Sequence, residues 1–153
     1  MKLIAIIFAA LLMSGVFLPG CSKDQLLESY DQILQFAGNF GLTDPLALKG
    51  TRHFGQDRYT GTYTADYEGF TGKEFVFGGT ALERKAGADI VVMCSMDITD
   101  GTARIFWEPG AQEQVVLLQT DGTYAATVSL PAGGNYLGVE CDNFTGSVSI
   151  TVE

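Results

Sequence analysis

The sequence predicts a mainly β chain: an antiparallel β-sandwich, jelly-roll-like with about eight strands, preceded by one short N-terminal α-helix. Three observations predict it. An apolar period of two runs through most of the chain from Arg58 onward. Turn-forming pairs such as Asp100-Gly101, Pro109-Gly110 and Asp121-Gly122 punctuate it at roughly 8–12 residues. Helical spacing occurs only ahead of that region in the mature chain.

The helix is read over residues 23–37. Ser22 and Gln25 have capping-box spacing, and Leu26, Leu27, Tyr30, Ile33, Leu34 and Ala37 recur on one face. Gly38 supplies a stop. Residues 38–57 read as an irregular connector in which Asp44-Pro45 breaks any helix. In the first strand Tyr59, Gly61, Tyr63, Ala65 and Tyr67 alternate with Thr60, Thr62, Thr64 and Asp66. Phe75 and Phe77 mark the next. Ile90, Val92, Cys94, Met96 and Ile98 form the inward set of a third, which Asp100-Gly101 is expected to turn into a hairpin with Ala103–Trp107. Val115–Gln119, the set Tyr124, Ala126, Val128 and Leu130, then Leu137–Cys141 and Val148–Val152 complete the series. Two short echoes stand out. Thr-Asp-Gly-Thr occurs at 99–102 and 120–123, and Phe-Thr-Gly at 70–72 and 144–146. With two copies each, they read as reused turn chemistry, not a repeat array.

Composition narrows the function classes. The chain has 153 residues, 46% apolar, with a formal charge of −9 and a mean hydropathy of +0.17. Residues 1–20 hold 15 of the 71 apolar residues, and the remaining 133 carry 8 basic and 18 acidic side chains. The remainder suits one domain with one core. It is too apolar for a disordered tail and too acidic for a nucleic-acid binder.

The N-terminus is a basic start, Met1-Lys2, followed by an apolar run to Leu18. Leu18-Pro19-Gly20-Cys21 then resembles the lipobox of bacterial lipoproteins, with Pro19 a less common choice in that pattern. The resemblance implies cleavage before Cys21, a diacylglyceryl thioether on its sulfur and acylation of the new N-terminus, palmitate-type chains that together make a stable anchor. The expected organisation is a removed signal peptide (1–20), an anchor cysteine, helix and connector (21–57), and a β-sandwich (58–153). The expected location is the bacterial cell envelope, outside the cytoplasm, with the membrane as a partner through Cys21. Residues 134–152 resemble the final hairpin of bacterial pre-peptidase C-terminal and related jelly-roll modules, which implies a sandwich and carries no functional residue across.

Little catalytic chemistry is visible. His53 is the sole histidine, no Gly-x-Ser-x-Gly elbow exists, and nothing selects a pair among the acids. With Cys21 lipidated, Cys94 and Cys141 remain as an inter-strand disulfide or as two buried thiols. Two cysteines and one histidine without local spacing make no tetrahedral metal set. No cofactor is expected. Calcium is the one candidate, on Asp97, Asp100, Asp121 and Asp142 at strand ends, although turn geometry already explains Asp100 and Asp121. Lys49, Arg52 and Arg58 concentrate basic charge, and Tyr59, Tyr63, Tyr67, Phe106, Trp107 and Tyr136 are candidates for a sugar-stacking platform. Alternation places Phe106 with Arg104 and Glu108 on the outer face. Phe106, Arg52 and His53 are the candidate ligand contacts. The expected role is a non-catalytic interaction or structural protein at the cell surface, partnered by a glycan or an envelope protein. The alternatives are a carbohydrate-binding accessory module and a small carboxylate-dependent hydrolase.

Overall fold

The computed structural model describes Tyr30, residues 41–81 and residues 83–153. The leader, the lipobox with Cys21, and the expected helix apart from Tyr30 lie outside the described residues. The chain divides into two units, Met1–Tyr30 and Asp31–Glu153, and every element below belongs to the second.

That unit is an antiparallel sheet of six strands: β1 (Thr51–Phe54), β2 (Gly61–Ala81), β3 (Asp89–Pro109), β4 (Val115–Leu118), β5 (Gly122–Ser129) and β6 (Gly133–Val152). The order is β1-β2-β6-β3-β4, with β5 on the same edge of β3 as β4. Alternation produced the strand faces correctly. Tyr63, Ala65 and Tyr67 are buried while Thr62, Thr64 and Asp66 are exposed, and Ile90, Val92, Cys94 and Met96 face the core as a set.

Strand count is where the sequence reading needs correction. β2, β3 and β6 each fuse two of the expected strands into one of about twenty residues. Each bends at the same level. The register of β2 on β6 shifts between Tyr67 and Phe70 and again before Gly72, and that of β3 on β6 shifts around Asp100. Asp100-Gly101 is therefore a bulge inside β3 and not a hairpin turn. β4 and β5 both run antiparallel to β3, so Asp121-Gly122 interrupts one direction of travel without reversing it. The expected C-terminal hairpin is likewise the single bent strand β6. The sheet also begins earlier than expected, since β1 lies within the segment read as irregular.

The bends line up as a crease that folds the sheet onto itself. One half has the order β1-β2-β6-β3-β5 and the other β2-β6-β3-β4. The apolar faces of both halves share one core cluster, including Tyr63, Ile150 and Val92 from the first half and Val76, Ile105 and Val139 from the second. A small internal space of about 10 Å³ is lined from both sides, by Ile90 and Val128 opposite Phe77 and Leu137. This is the two-layer architecture expected of a sandwich, made from one sheet.

Both sequence echoes lie on the crease. Phe70 pairs with Phe144, so the two Phe-Thr-Gly copies face each other antiparallel. The residue before each Phe, Gly69 or Asn143, is left-handed (φ 58° and 48°). Gly69 N donates to Thr145 Oγ1 (3.0 Å) and Asn143 N donates to Thr71 Oγ1 (2.8 Å), a reciprocal pair. Beside them, Ile98 N donates to the Asp121 carboxylate and Gly101 N to that of Asp100. A side chain at Gly101 (φ 72°) would collide with the Asn143 carbonyl, so the bulge requires glycine.

Because a left-handed residue other than glycine carries a penalty, Asn143→Gly is expected to leave stability within about 0.5 kcal/mol of wild type, whereas Asn143→Val should lose about 1–2 kcal/mol. Urea midpoints at unchanged slope measure both. Equal midpoints for the two variants would refute the strained-bend account.

Candidate functional site

The three expected ligand contacts do not converge. Arg52 on β1 is half-buried and its guanidinium donates to the carbonyls of Val76 (3.1 Å), Thr43 (3.2 Å) and Phe75 (3.4 Å). It straps the 41–43 segment to the bulge of β2 between Phe75 and Phe77. Burial, then repulsion from Arg58, holds its pKa below the ordinary arginine value. His53 is exposed on the outer face of β1 opposite Thr62. Phe106 points outward as alternation required, yet it is 0% exposed, contrary to its expected role as a surface contact. Gly138 of β6 lies beside it and leaves a trough, Phe75 meets its ring edge-on at 5.7 Å, and the Lys73 ammonium sits 4.3 Å above it, held by Glu108 (2.6 Å). Sequence alone could not show that β2 and β3 flank the same strand and close over this ring.

The other candidates also take structural places. The basic group covers aromatic rings: Arg52 and Arg58 lie over Phe54, and Lys49 over Phe70. Asp100 and Asp121 accept crease N–H groups, and among the described residues no group of three or more His, Cys, Asp or Glu side chains is arranged to hold a metal ion. Of the candidate stacking residues, Tyr63, Tyr67 and Phe106 are buried, while Tyr59, Trp107 and Tyr136 are half-buried. Cys94 and Cys141 are both buried as free thiols. Cys94 lies on β3 in one half-sheet and Cys141 on β6 in the other, each set in the apolar core. Burial pushes the Cys94 thiol up to about 11 and, with the charges of Glu74 and Glu140 adding, that of Cys141 up to about 12.

One buried polar cluster escaped the sequence reading. Glu74 is 2% exposed. Its Oε2 accepts from the hydroxyls of Tyr67 (2.6 Å) and Tyr63 (2.9 Å), and its Oε1 accepts from Lys49 N (2.6 Å). Tyr63 and Tyr67 precede the crease of β2 and Glu74 follows it, so the cluster clasps the bent strand to itself. Desolvation, foremost, raises the pKa of both tyrosines and keeps their protons in these bonds. Only the buried register of Val76, two residues on, hints that Glu74 points inward. A carboxylate this enclosed, with both oxygens occupied, is not offered to a substrate.

Among the described residues, open concavities include the following three. The hollow at one end of the sandwich, about 220 Å³, has apolar walls from Ala81, Ala88, Leu130 and Pro131, the ring of Tyr59, and the charged groups Glu83 and Arg84. Arg84 is fixed by Asp57 (Nε to Oδ2, 2.6 Å) and its guanidinium lies 6.0 Å from the Tyr59 ring centre. Asp57 in turn accepts from Tyr59 N and Thr60 N, so one carboxylate positions both the arginine and the aromatic residue. A second hollow, about 350 Å³, is polar, with Thr102, Gln119, Asp142 and the Arg104–Glu140 pair (2.7 Å). The third, about 420 Å³, runs over the outer face of the first half-sheet. Of these three, the end hollow combines apolar walls, an aromatic ring and a few fixed polar groups, the usual make-up of a small-ligand site.

No family model matches this chain, and no curated protein matches it. Among solved structures it is similar to a family 29 carbohydrate-binding module, with 15% identity over 69% of this chain and 71% of that one and a TM-score of 0.36. It is also similar to a carbohydrate-binding module from Cellvibrio mixtus lichenase 5A in complex with cellotriose, with 16% identity over 69% of this chain and 86% of that one and a TM-score of 0.34. A third similarity is to an exo-β-1,3-galactanase from Phanerochaete chrysosporium, with 15% identity over 70% of this chain and 30% of that one and a TM-score of 0.33. At these identities and scores the likeness assigns neither ligand nor function to this chain.

Two outcomes follow from the buried groups. Tyr67→Phe removes one donor and is expected to cost about 1 kcal/mol, whereas Glu74→Ala strands three donors and should cost about 3 kcal/mol or more, both read from urea midpoints. A smaller loss for Glu74→Ala than for Tyr67→Phe would contradict the clasp. Both cysteine pKa values rise on folding from about 9, so their contribution to stability is whole below pH 9 and is lost as pH climbs toward 11–12. In the native protein below pH 9, iodoacetamide should therefore modify neither Cys94 nor Cys141, and urea should expose both without reductant.

Proposed function

We propose that this chain is a non-catalytic, lipid-anchored module of the bacterial cell envelope that binds neutral glycan. The observation that carries the binding reading is the end hollow. Tyr59 offers a ring for the C–H face of a sugar, Leu130 and Pro131 exclude water beside it, and the exposed Glu83 supplies an acceptor for hydroxyls, while Arg84, which also donates to the carbonyls of Gly87 and Asp89, stiffens the wall. Asp57 holds Arg84 and the backbone of Tyr59 in place before ligand arrives, which lowers the ordering cost of binding. Glu74, the buried acid of the core, is sealed, which favours binding over the hydrolase alternative.

The anchor reading is supported by Leu18-Pro19-Gly20-Cys21 and its basic, apolar leader. Thioether-linked chains on Cys21 would hold an acidic domain that anionic headgroups repel.

Mature protein extracted in detergent, probed against a panel of neutral oligosaccharides by calorimetry, is expected to bind at least one in the micromolar to millimolar range. Tyr59→Ala should weaken that binding by about tenfold or more, as loss of one stacked ring does. Absence of binding across the panel, or full binding by Tyr59→Ala with its fold intact, would reject the end hollow as a glycan site. Incorporation of labelled palmitate by wild type but not by Cys21→Ser tests the anchor independently.

A further inference from the structure

The end hollow and the small internal space of the core share a wall. Tyr59, Leu130 and Asn135 line both the hollow and the space of about 10 Å³. Two buried polar atoms on residues bordering that space have no partner among the described residues, Asn135 Oδ1 and Trp107 Nε1. Asn135 is 3% exposed, and its Nδ2 donates to the carbonyls of Pro131 (2.7 Å) and Gly133 (3.4 Å). Those two bonds fix which end of the amide is the nitrogen and leave the oxygen as an unmet acceptor. The register explains why an unmet donor lies near it. Trp107 pairs with Leu137 and Pro109 with Asn135, so Trp107 and Asn135 are diagonal neighbours on the inward face of β3 and β6. The rest of the space is apolar, with Val92, Val128 and Leu137 in its lining. A buried donor or acceptor left unmet is costly, and here one of each borders the same apolar space.

We propose that the end hollow selects an N-acetylated amino sugar, whose acetamido group enters this space between Trp107 and Asn135. The inference rests on the glycan reading above and names the sugar. An acetamido group carries one N–H, one carbonyl oxygen and one methyl group. The N–H donates to Asn135 Oδ1, the carbonyl oxygen accepts from Trp107 Nε1, and the methyl group meets Val92, Val128 and Leu137. Other substituents match less well. A carboxylate has no donor for Asn135, an ammonium has no acceptor for Trp107, and a hydroxyl brings no apolar part. Entry requires the shared wall to give, and Leu130 is its movable member. Leu130 lies just past the end of β5 and is half-buried, whereas Asp57 holds the Tyr59 backbone and two carbonyls hold Asn135. The cost of that opening is offset only by a group that satisfies both unmet atoms, which is the source of the selectivity.

Matched neutral sugars test this on the detergent-extracted mature protein. β-Linked N-acetylglucosamine oligomers are compared with glucose oligomers of the same length, and N-acetylgalactosamine with galactose. The N-acetylated member of at least one pair is expected to bind about tenfold more tightly or better, because the other member leaves both buried atoms unmet. Trp107 is the sole tryptophan of the chain, so its fluorescence should change with that ligand and not with the hydroxyl counterpart. Both readouts use wild type and stand whether or not a variant folds. Trp107→Phe keeps an aromatic ring and removes the N–H. With its fold verified by urea midpoint, it should lose the preference and bind the hydroxyl counterpart as wild type does. Tyr59→Ala should instead weaken both members of the pair. Equal affinity within every pair, an unchanged Trp107 signal on binding, or a preference retained by folded Trp107→Phe overturns the acetamido assignment and leaves the glycan reading standing. Failure of wild type to bind any of these sugars or any other neutral oligosaccharide overturns both.

Discussion

The two-layer form depends on the exchange of hydrogen bonds between Thr71 and Asn143 and between Thr145 and Gly69. Three long strands must turn at one level without losing their pairing. At that level a flat ladder is impossible, and backbone donors freed by the bulges need new acceptors. The threonine hydroxyls supply them, each from one strand to the other. Phe70 and Phe144 pair across the same two strands, and a side chain at Gly72 or Gly146 would occupy the space of the ring two residues before it. The aspartates of the second echo do comparable work on β3 and on the break between β4 and β5. A row of small, polar, left-handed positions thus crosses an apolar sheet and determines where its halves separate.

Closing the crease brings Glu74 against Tyr63 and Tyr67. A carboxylate in an apolar core costs several kcal/mol unless every lone pair is engaged. Here the acceptors are met by two hydroxyls from the opposite arm of the strand and by Lys49 N, so the same group that penalises an open crease rewards a closed one. The clasp also ties the 41–50 segment to the sheet, and Arg52 does so again through Thr43. The end hollow lies away from the clasp, where the ends of the folded sheet meet.

Faces were legible in the sequence and directions were not. Alternation placed Tyr63, Val92, Cys94, Val139 and Ile150 inward because side-chain period is a local property of extended chain. The same alternation set Phe106 outward correctly, but its burial comes from Lys73 and Phe75 two strands away. Asp100-Gly101 has the composition of a tight turn, and only partners on β6 reveal that the strand runs through it. β1 went unread because Arg52 and His53 form no apolar period, and Glu74 because a bulge at Phe75–Phe77 shifts the local register. Tyr59 was one aromatic among several until Asp57 and Arg84 were seen to hold it.

The place of β6 in the sheet has a consequence for how the protein holds together. β2 and β3 do not pair with each other; each lies against β6, Gly133–Val152. Without those residues the sheet has no middle: β1 pairs with β2, and β4 and β5 pair with β3, but nothing joins the two groups. β6 is therefore the keel of the sheet: each group can pair within itself, but only a strand that runs the full length of both can hold them as one folded body.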